Sequence, residues 1–286
     1  MQVSVLGFGG SEIGSSATQA EVTRLLGAAL DAGCNVIDTA ACYGRSEELI
    51  GAMAHRRDEF YLLTKCGHAA GLPGSDWDPA VMAKSIDRSL QRLRTDHLDL
   101  VQLHTCSEEL LRQGEVIEVL QRARAAGKTR YIGYSGDGAK ALYAVRCGVF
   151  DTLQTSVSIA DQEAIALTIP AAAAAGVGVI AKRPIANAAW RTGRRPDDRY
   201  AHTYWDRLQT LAYPFLGGDV QAAVGTALRF TLAVPGVGTA IVGTAKPSRW
   251  PQNAALLEAG PLPPEEFAAI AARWGAVAPP SWVGQT

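Results

Sequence analysis

The 286-residue chain has no apolar stretch long enough to cross a bilayer, so no membrane anchor is expected. Its N-terminus, MQVSVLGFGG, lacks a basic segment followed by an apolar run, which excludes a secretory signal there. Cysteine is scarce and odd in number: Cys34, Cys42, Cys66, Cys106 and Cys147, with no CxxC pair. That excludes a disulfide scaffold and a zinc site, and points to a reduced, cytoplasmic protein without a metal centre. Cys42 and Cys66 read as small buried residues rather than redox groups. Charge of one sign is also missing. Lys and Arg number 27 against 28 Asp and Glu, for a net charge of −1 with no long run of either sign. Nucleic acid and anionic membrane surfaces are therefore not expected partners. Charged residues make up only 19% of the chain and hydrophobic ones 48%, the balance of a compact protein with a large core.

A Rossmann fingerprint is absent as well. Gly7, Gly9, Gly10 and Gly14 do not give GxGxxG, because Glu12 stands where the third glycine would be.

What is present is an alternation of strands and helices. Strands are expected at Val3–Leu6, Asn35–Asp38, Phe60–Lys65, Leu98–His104, Arg130–Ser135, Thr152–Ser156, Gly178–Ala181 and Ala240–Val242. Several, such as LDLVQL and GVGVI, are nearly continuous apolar runs, as parallel strands covered on both faces require. Amphipathic runs fill the gaps: Ala20–Ala32, Pro79–Leu93 behind an Asp78 cap, and Val116–Ala126 closed by Gly127. Eight alternations fit a (β/α)8 barrel, an α/β TIM barrel, better than an open sheet. With no Pro/Gly/Ser linker, the expected organisation is one domain over residues 1–286. A long loop around residues 183–218, rich in Arg, Trp and Tyr, reads as a cover for cofactor or substrate. A C-terminal helix and tail occupy residues around 264–286.

Asp38 and Lys65 end two of these strands and His104 a third, while Tyr43 lies in the loop after the first. In a barrel the C-terminal strand ends meet at one mouth, where active sites lie. A phenol, an ammonium, a carboxylate and an imidazole gathered there are suited to protonating a substrate oxygen.

The motifs DTAACYG, TK at Thr64–Lys65, QLH at Gln102–His104, GKTRYIGYSG at Gly127–Gly136 and IVGTAKPSRWPQN at Ile241–Asn253 resemble, in order, those of the aldo-keto reductase superfamily. The resemblance spans nearly the whole chain. It implies a (β/α)8 barrel binding NADPH/NADP+ in an extended form, and reduction of a small-molecule carbonyl substrate, an aldehyde or ketone, to an alcohol. Tyr43 would be the general acid. Lys65 would lower the pKa of its phenol, Asp38 would hold Lys65 charged, and His104 would orient the carbonyl and donate to its oxygen. Ser135 and Gln154 match residues that hold the nicotinamide carboxamide, although Gly136 stands where Asn is frequent. Thr244, Arg249 and Asn253 match the adenosine-phosphate block, with Arg249 suited to a 2′-phosphate. Arg194 is a candidate for covering the pyrophosphate. Lys182 stands where the family places an aromatic residue against the nicotinamide. An ammonium there would repel the cationic ring of NADP+, so two outcomes are open: Lys182 turns toward a phosphate or an acidic partner, or the oxidised cofactor binds poorly. Trp77 and Trp190 are candidates for the substrate pocket. The alternatives are a cofactor-binding regulatory subunit, or a biosynthetic enzyme using the same site for oxidation or elimination. The sequence leaves the oligomeric state open.

Overall fold

The computed structural model describes residues 1–285. Eight parallel strands close into a barrel in sequence order: β1 Leu6–Gly9, β2 Val36–Asp38, β3 Tyr61–Cys66, β4 Leu98–His104, β5 Thr129–Ser135, β6 Thr152–Ser156, β7 Gly178–Lys182 and β8 Val237–Gly243. β1 pairs with β8, so no strand is left with a free edge. The (β/α)8 barrel of a single domain is the architecture present.

Two apolar layers hold it. The larger lies between the sheet and the surrounding helices. The smaller fills the barrel itself, with Val36, Leu63, Leu100, Ile180 and Ile241 packed together. The helix Gln19–Asp31 buries Val22, Leu25, Leu26, Ala29 and Leu30 on one stripe, and Thr18 with Glu21 forms a capping box at its start. The helix Pro79–Leu93 begins at Asp78, whose carboxylate accepts from the amides of Ala80 and Val81.

β1 departs from expectation. It occupies Leu6–Gly9, not Val3–Leu6. The β-branched run VSVL looks like a strand and the glycines after it look like a loop, yet the glycines carry the strand. A Cβ on Gly7 would lie 3.0 Å from Cβ of Val36 and 3.2 Å from a methyl of Ile241, so a larger side chain would have to push these neighbours aside in the crowded interior.

The stretch around 183–218 also differs from an open loop. It carries the helix His202–Leu211, which buries Tyr204, Arg207, Leu208 and Leu211, and short 3-10 turns at Arg199–Ala201 and Pro214–Gly217. The helix Pro264–Val277 follows, and its tail returns to the barrel. Arg207 donates to the carbonyl of Val283 (2.7 Å) and Arg183 to that of Gln285 (2.6 Å). Among the described residues, no helix is long and apolar enough to cross a membrane, and no cluster of side chains is arranged to hold a metal ion.

Candidate active site

Register places the polar residues side by side at the C-terminal mouth. Lys65 pairs with Gln102, His104 with Ser135, Ser135 with Gln154, and Ser156 with Lys182. Tyr43 follows β2 in a tight turn packed on Gly14. A Cβ on Gly14 would collide with the carbonyl of Tyr43, so the turn closes only over a glycine.

Asp38 is the hub. One carboxylate oxygen accepts from Lys65 Nζ at 2.5 Å; the other accepts from Nε2 of Gln154 (2.9 Å) and of Gln102 (3.4 Å). Lys65 also donates to the carbonyl of Thr39 at 2.8 Å. Its ammonium lies 5.0 Å from the centre of the Tyr43 ring. Tyr43 and His104 meet edge to face, with ring centres 5.6 Å apart. The four side chains named from sequence thus form one cluster. Lys65 and Asp38 are buried beneath it, and Tyr43 and His104 face the opening.

The electrostatics differ in one respect from expectation. Burial raises the pKa of Tyr43; Lys65 pulls it down but does not win, and the net direction is upward. The phenol therefore keeps its proton. Burial works against the Lys65 charge, but the Asp38 carboxylate and the neighbouring Tyr43 leave its pKa above the ordinary lysine value. Desolvation, followed by the nearby charges of Lys65, His68, Lys182 and Arg183, pushes His104 down to about 2. His104 is a neutral imidazole.

The mouth opens into a cavity of about 1030 Å3. Ser135, Gln154, Lys182, Arg194, Thr244, Arg249 and Asn253 all line it, together with Asp38, Tyr43 and His104. Gln154 is held from both ends: its nitrogen is on Asp38, and its oxygen accepts from Ser135 Oγ at 3.1 Å. Thr244 and Asn253 are buried at the end of β8 and on the helix Arg249–Ala255. Gly136, where an asparagine was the expected pattern, lies under a phenol. A Cβ there would sit 2.6 Å from the Tyr134 ring, whose hydroxyl donates to the carbonyl of Cys106.

Lys182 turns to an acidic partner. Its Nζ lies 2.8 Å from Asp137 Oδ2, and both side chains are buried. Burial lowers the lysine pKa to about 8 against the pull of Asp137. The other Asp137 oxygen accepts from the amide of Ser156 (2.6 Å) and from Thr155 Oγ1 (2.9 Å). Trp77 is half-buried and lies outside the cavity lining; its ring is 5.7 Å from that of His68, which in turn is 5.3 Å from His104. Trp190 is buried in the outer core and lies outside the cavity lining.

Several residues escaped the sequence reading. Asp137 lies two positions after Ser135, immediately past the motif Gly127–Gly136, and nothing local marks it as a lysine partner. Arg183 lines the cavity and is held by Ser156 Oγ (2.8 Å) and Tyr200, contacts that only the fold creates. Cys42 is exposed, not buried, and its Sγ lies 3.3 Å from His104 Nδ1; Cys66 is buried as expected. Lys246 and Arg191 add positive charge to the cavity wall.

The profile of the Aldo/keto reductase family matches residues 5–274. Among characterised proteins, the L-galactose dehydrogenase of Arabidopsis thaliana is 28% identical over 273 residues, covering 90% of this chain and 85% of that protein. Among solved structures, the holo form of aldo-keto reductase AKR11C1 from Bacillus halodurans superposes with a TM-score of 0.79 at 27% identity, over 98% of this chain and 95% of that one. An aldo-keto reductase from Klebsiella pneumoniae in complex with NADPH gives 0.72 at 28% identity, over 98% and 93%.

Proposed function

The chain belongs to the aldo/keto reductase family, and we propose that it is an NADP(H)-dependent oxidoreductase that reduces an aldehyde or ketone to an alcohol with Tyr43 as general acid. The observation that carries the reading is the buried Lys65 ammonium between the Asp38 carboxylate and the Tyr43 ring, at the floor of a large cavity.

The cavity suits such a cofactor. It offers a hydroxyl and a carboxamide at the strand ends, in Ser135 and Gln154, and guanidinium groups farther out, in Arg194 and Arg249. The related Klebsiella protein is solved with NADPH. Bound, the cofactor would supply hydride. The protein's own task is the oxygen. Tyr43, protonated at rest, gives its proton to the carbonyl oxygen as negative charge develops there. Lys65 stabilises the phenolate left behind, and Asp38 keeps Lys65 charged and fixed. His104, neutral, donates a hydrogen bond to the same oxygen and holds the carbonyl against Tyr43.

The test is NADPH oxidation across a panel of reactive aromatic and aliphatic aldehydes. Aldose sugars with NADP+ should be included, because a relative is named a dehydrogenase. Turnover that requires Tyr43 supports the reading. Tight cofactor binding with no turnover on either panel would favour the regulatory-subunit alternative.

A further inference from the structure

His104 is useful to a carbonyl only in one of its two neutral forms. A neutral imidazole has one N–H and one bare nitrogen. To donate to the substrate oxygen, the nitrogen that faces the cavity must carry the hydrogen, and the other must be an acceptor. The only side-chain hydrogen-bond partner that His104 has among the described residues is Cys42, with Sγ 3.3 Å from Nδ1. Cys42 immediately precedes Tyr43, and the turn that sets the phenol also sets the thiol.

We propose that Cys42 is a positioning residue whose S–H donates to His104 Nδ1, placing the imidazole hydrogen on Nε2, where it serves the substrate oxygen. The inference rests on the carbonyl-reducing reading of this site and adds the group that orients its imidazole.

The contact fixes the partners, and the thiol chemistry favours one direction. An S–H can donate to a bare Nδ1 or, as a poor acceptor, receive a hydrogen from it; donation is the direction that leaves the hydrogen on Nε2 for the substrate, whereas a thiolate would call the hydrogen onto Nδ1. Desolvation at the rim raises the Cys42 pKa above its usual value, with Lys65 pulling the other way, so the thiol form is kept. His104 does not take a second proton in the neutral range, because its pKa is driven far down. The other groups facing the ring are the Tyr43 edge and the His68 ring; His68 is itself tied to Asp76 through Nδ1 at 2.9 Å. Among the described residues neither is a hydrogen-bond partner of Nδ1, which leaves that nitrogen to the thiol.

The decisive measurement is the nitrogen NMR of the His104 ring in the full chain, with the resonance assigned by its loss in His104→Asn. In the parent, the Nε2–H form should be the single form present. In Cys42→Ala it should become a mixture; in Cys42→Ser, which keeps a donor, it should persist. Turnover should follow the same order at unchanged affinity for NADPH. Cys42→Ala should lose about three- to tenfold in kcat, the weight of one ordinary hydrogen bond, and Cys42→Ser should recover most of it. If Cys42→Ala keeps the Nε2–H form as fully as the parent, the proposal is overturned. Equal losses in the alanine and serine variants with no tautomer change would likewise assign Cys42 to packing. The tautomer is read without substrate, so a chain that reduced no carbonyl would defeat the functional reading and still leave this one decided by the spectrum.

Discussion

At the scale of single residues, the site is defined by which groups hold protons. Tyr43 keeps its proton because burial outweighs the pull of Lys65. Tyr43→Phe removes the donor and keeps the ring, so carbonyl reduction should fall by ~10²–10⁴-fold while NADPH affinity stays near that of the parent. Single-turnover rates and a fluorescence titration check both halves, and near-parent turnover would remove Tyr43 from the acid role. His104 has a stability consequence. Its folded-state pKa of about 2 lies below the ordinary histidine value of about 6.5. Between those limits the unfolded chain binds a proton that the folded chain does not, so stability rises with pH there and is lost as pH falls below ~6.5. The slope for one such group approaches ~1.4 kcal/mol per pH unit. Urea midpoints at pH 7 and pH 5 should therefore converge in His104→Asn, and an unchanged pH slope would refute the assignment. Arg249→Ala should weaken NADPH by roughly 1.5–3 kcal/mol, one to two decades in Kd, and NADH much less. Equal losses would mean that Arg249 does not read the 2′-phosphate. The residues behind these predictions are legible because they sit in motifs, DTAACYG, QLH and IVGTAKPSRWPQN, that follow one another in the family's order. Asp137 and the Cys42–His104 contact were not legible. Each depends on a partner far away in sequence, and no local spacing announces it.

At the scale of elements, β4 stands where the apolar pattern puts it, because a fully buried parallel strand is a nearly continuous apolar run. β1 does not, because Gly7 answers to the volume inside the barrel, between Val36 and Ile241, and not to strand propensity. The segment after β7, long and rich in Arg, Trp and Tyr, reads as a loop, yet its second half is helical and anchored by Arg207 and Tyr204 on Asp161. The end of β7 carries the strongest element-level prediction. Lys182 and Asp137 tie β7 to the loop after β5 through a buried ion pair. Lys182→Met leaves Asp137 buried and alone, which costs about 3–5 kcal/mol. Adding Asp137→Asn keeps the oxygen that accepts from Ser156 and Thr155 and removes the charge, so most of that stability should return. A double-mutant cycle by urea unfolding measures it; additive losses would show that the two do not act as a pair.

At the scale of the whole molecule, the tail after the helix Pro264–Val277 fastens the mouth from outside. Val283 and Gln285 offer carbonyls to Arg207 and Arg183, and Trp282 lies 5.3 Å from the Arg207 guanidinium. Deleting the chain beyond Val277 should lower stability by about 1.5–3 kcal/mol for each charge-assisted bond lost. Thermal unfolding checks this, and an unchanged midpoint would show the tail to be ornamental.

Closure of the ring sets a schedule on the ribosome. Leu6 pairs with Ala240, and the indole of Trp250 donates to the carbonyl of Gly7. The first strand made must therefore wait for the last. At about 5–20 residues per second, that wait is roughly 10–50 s. Throughout it, β1 and the growing end of the sheet present unpaired backbone to the cell. A nascent chain stalled before β8 should therefore engage chaperones, whereas one released just past Trp250 has the means to shut its own seam.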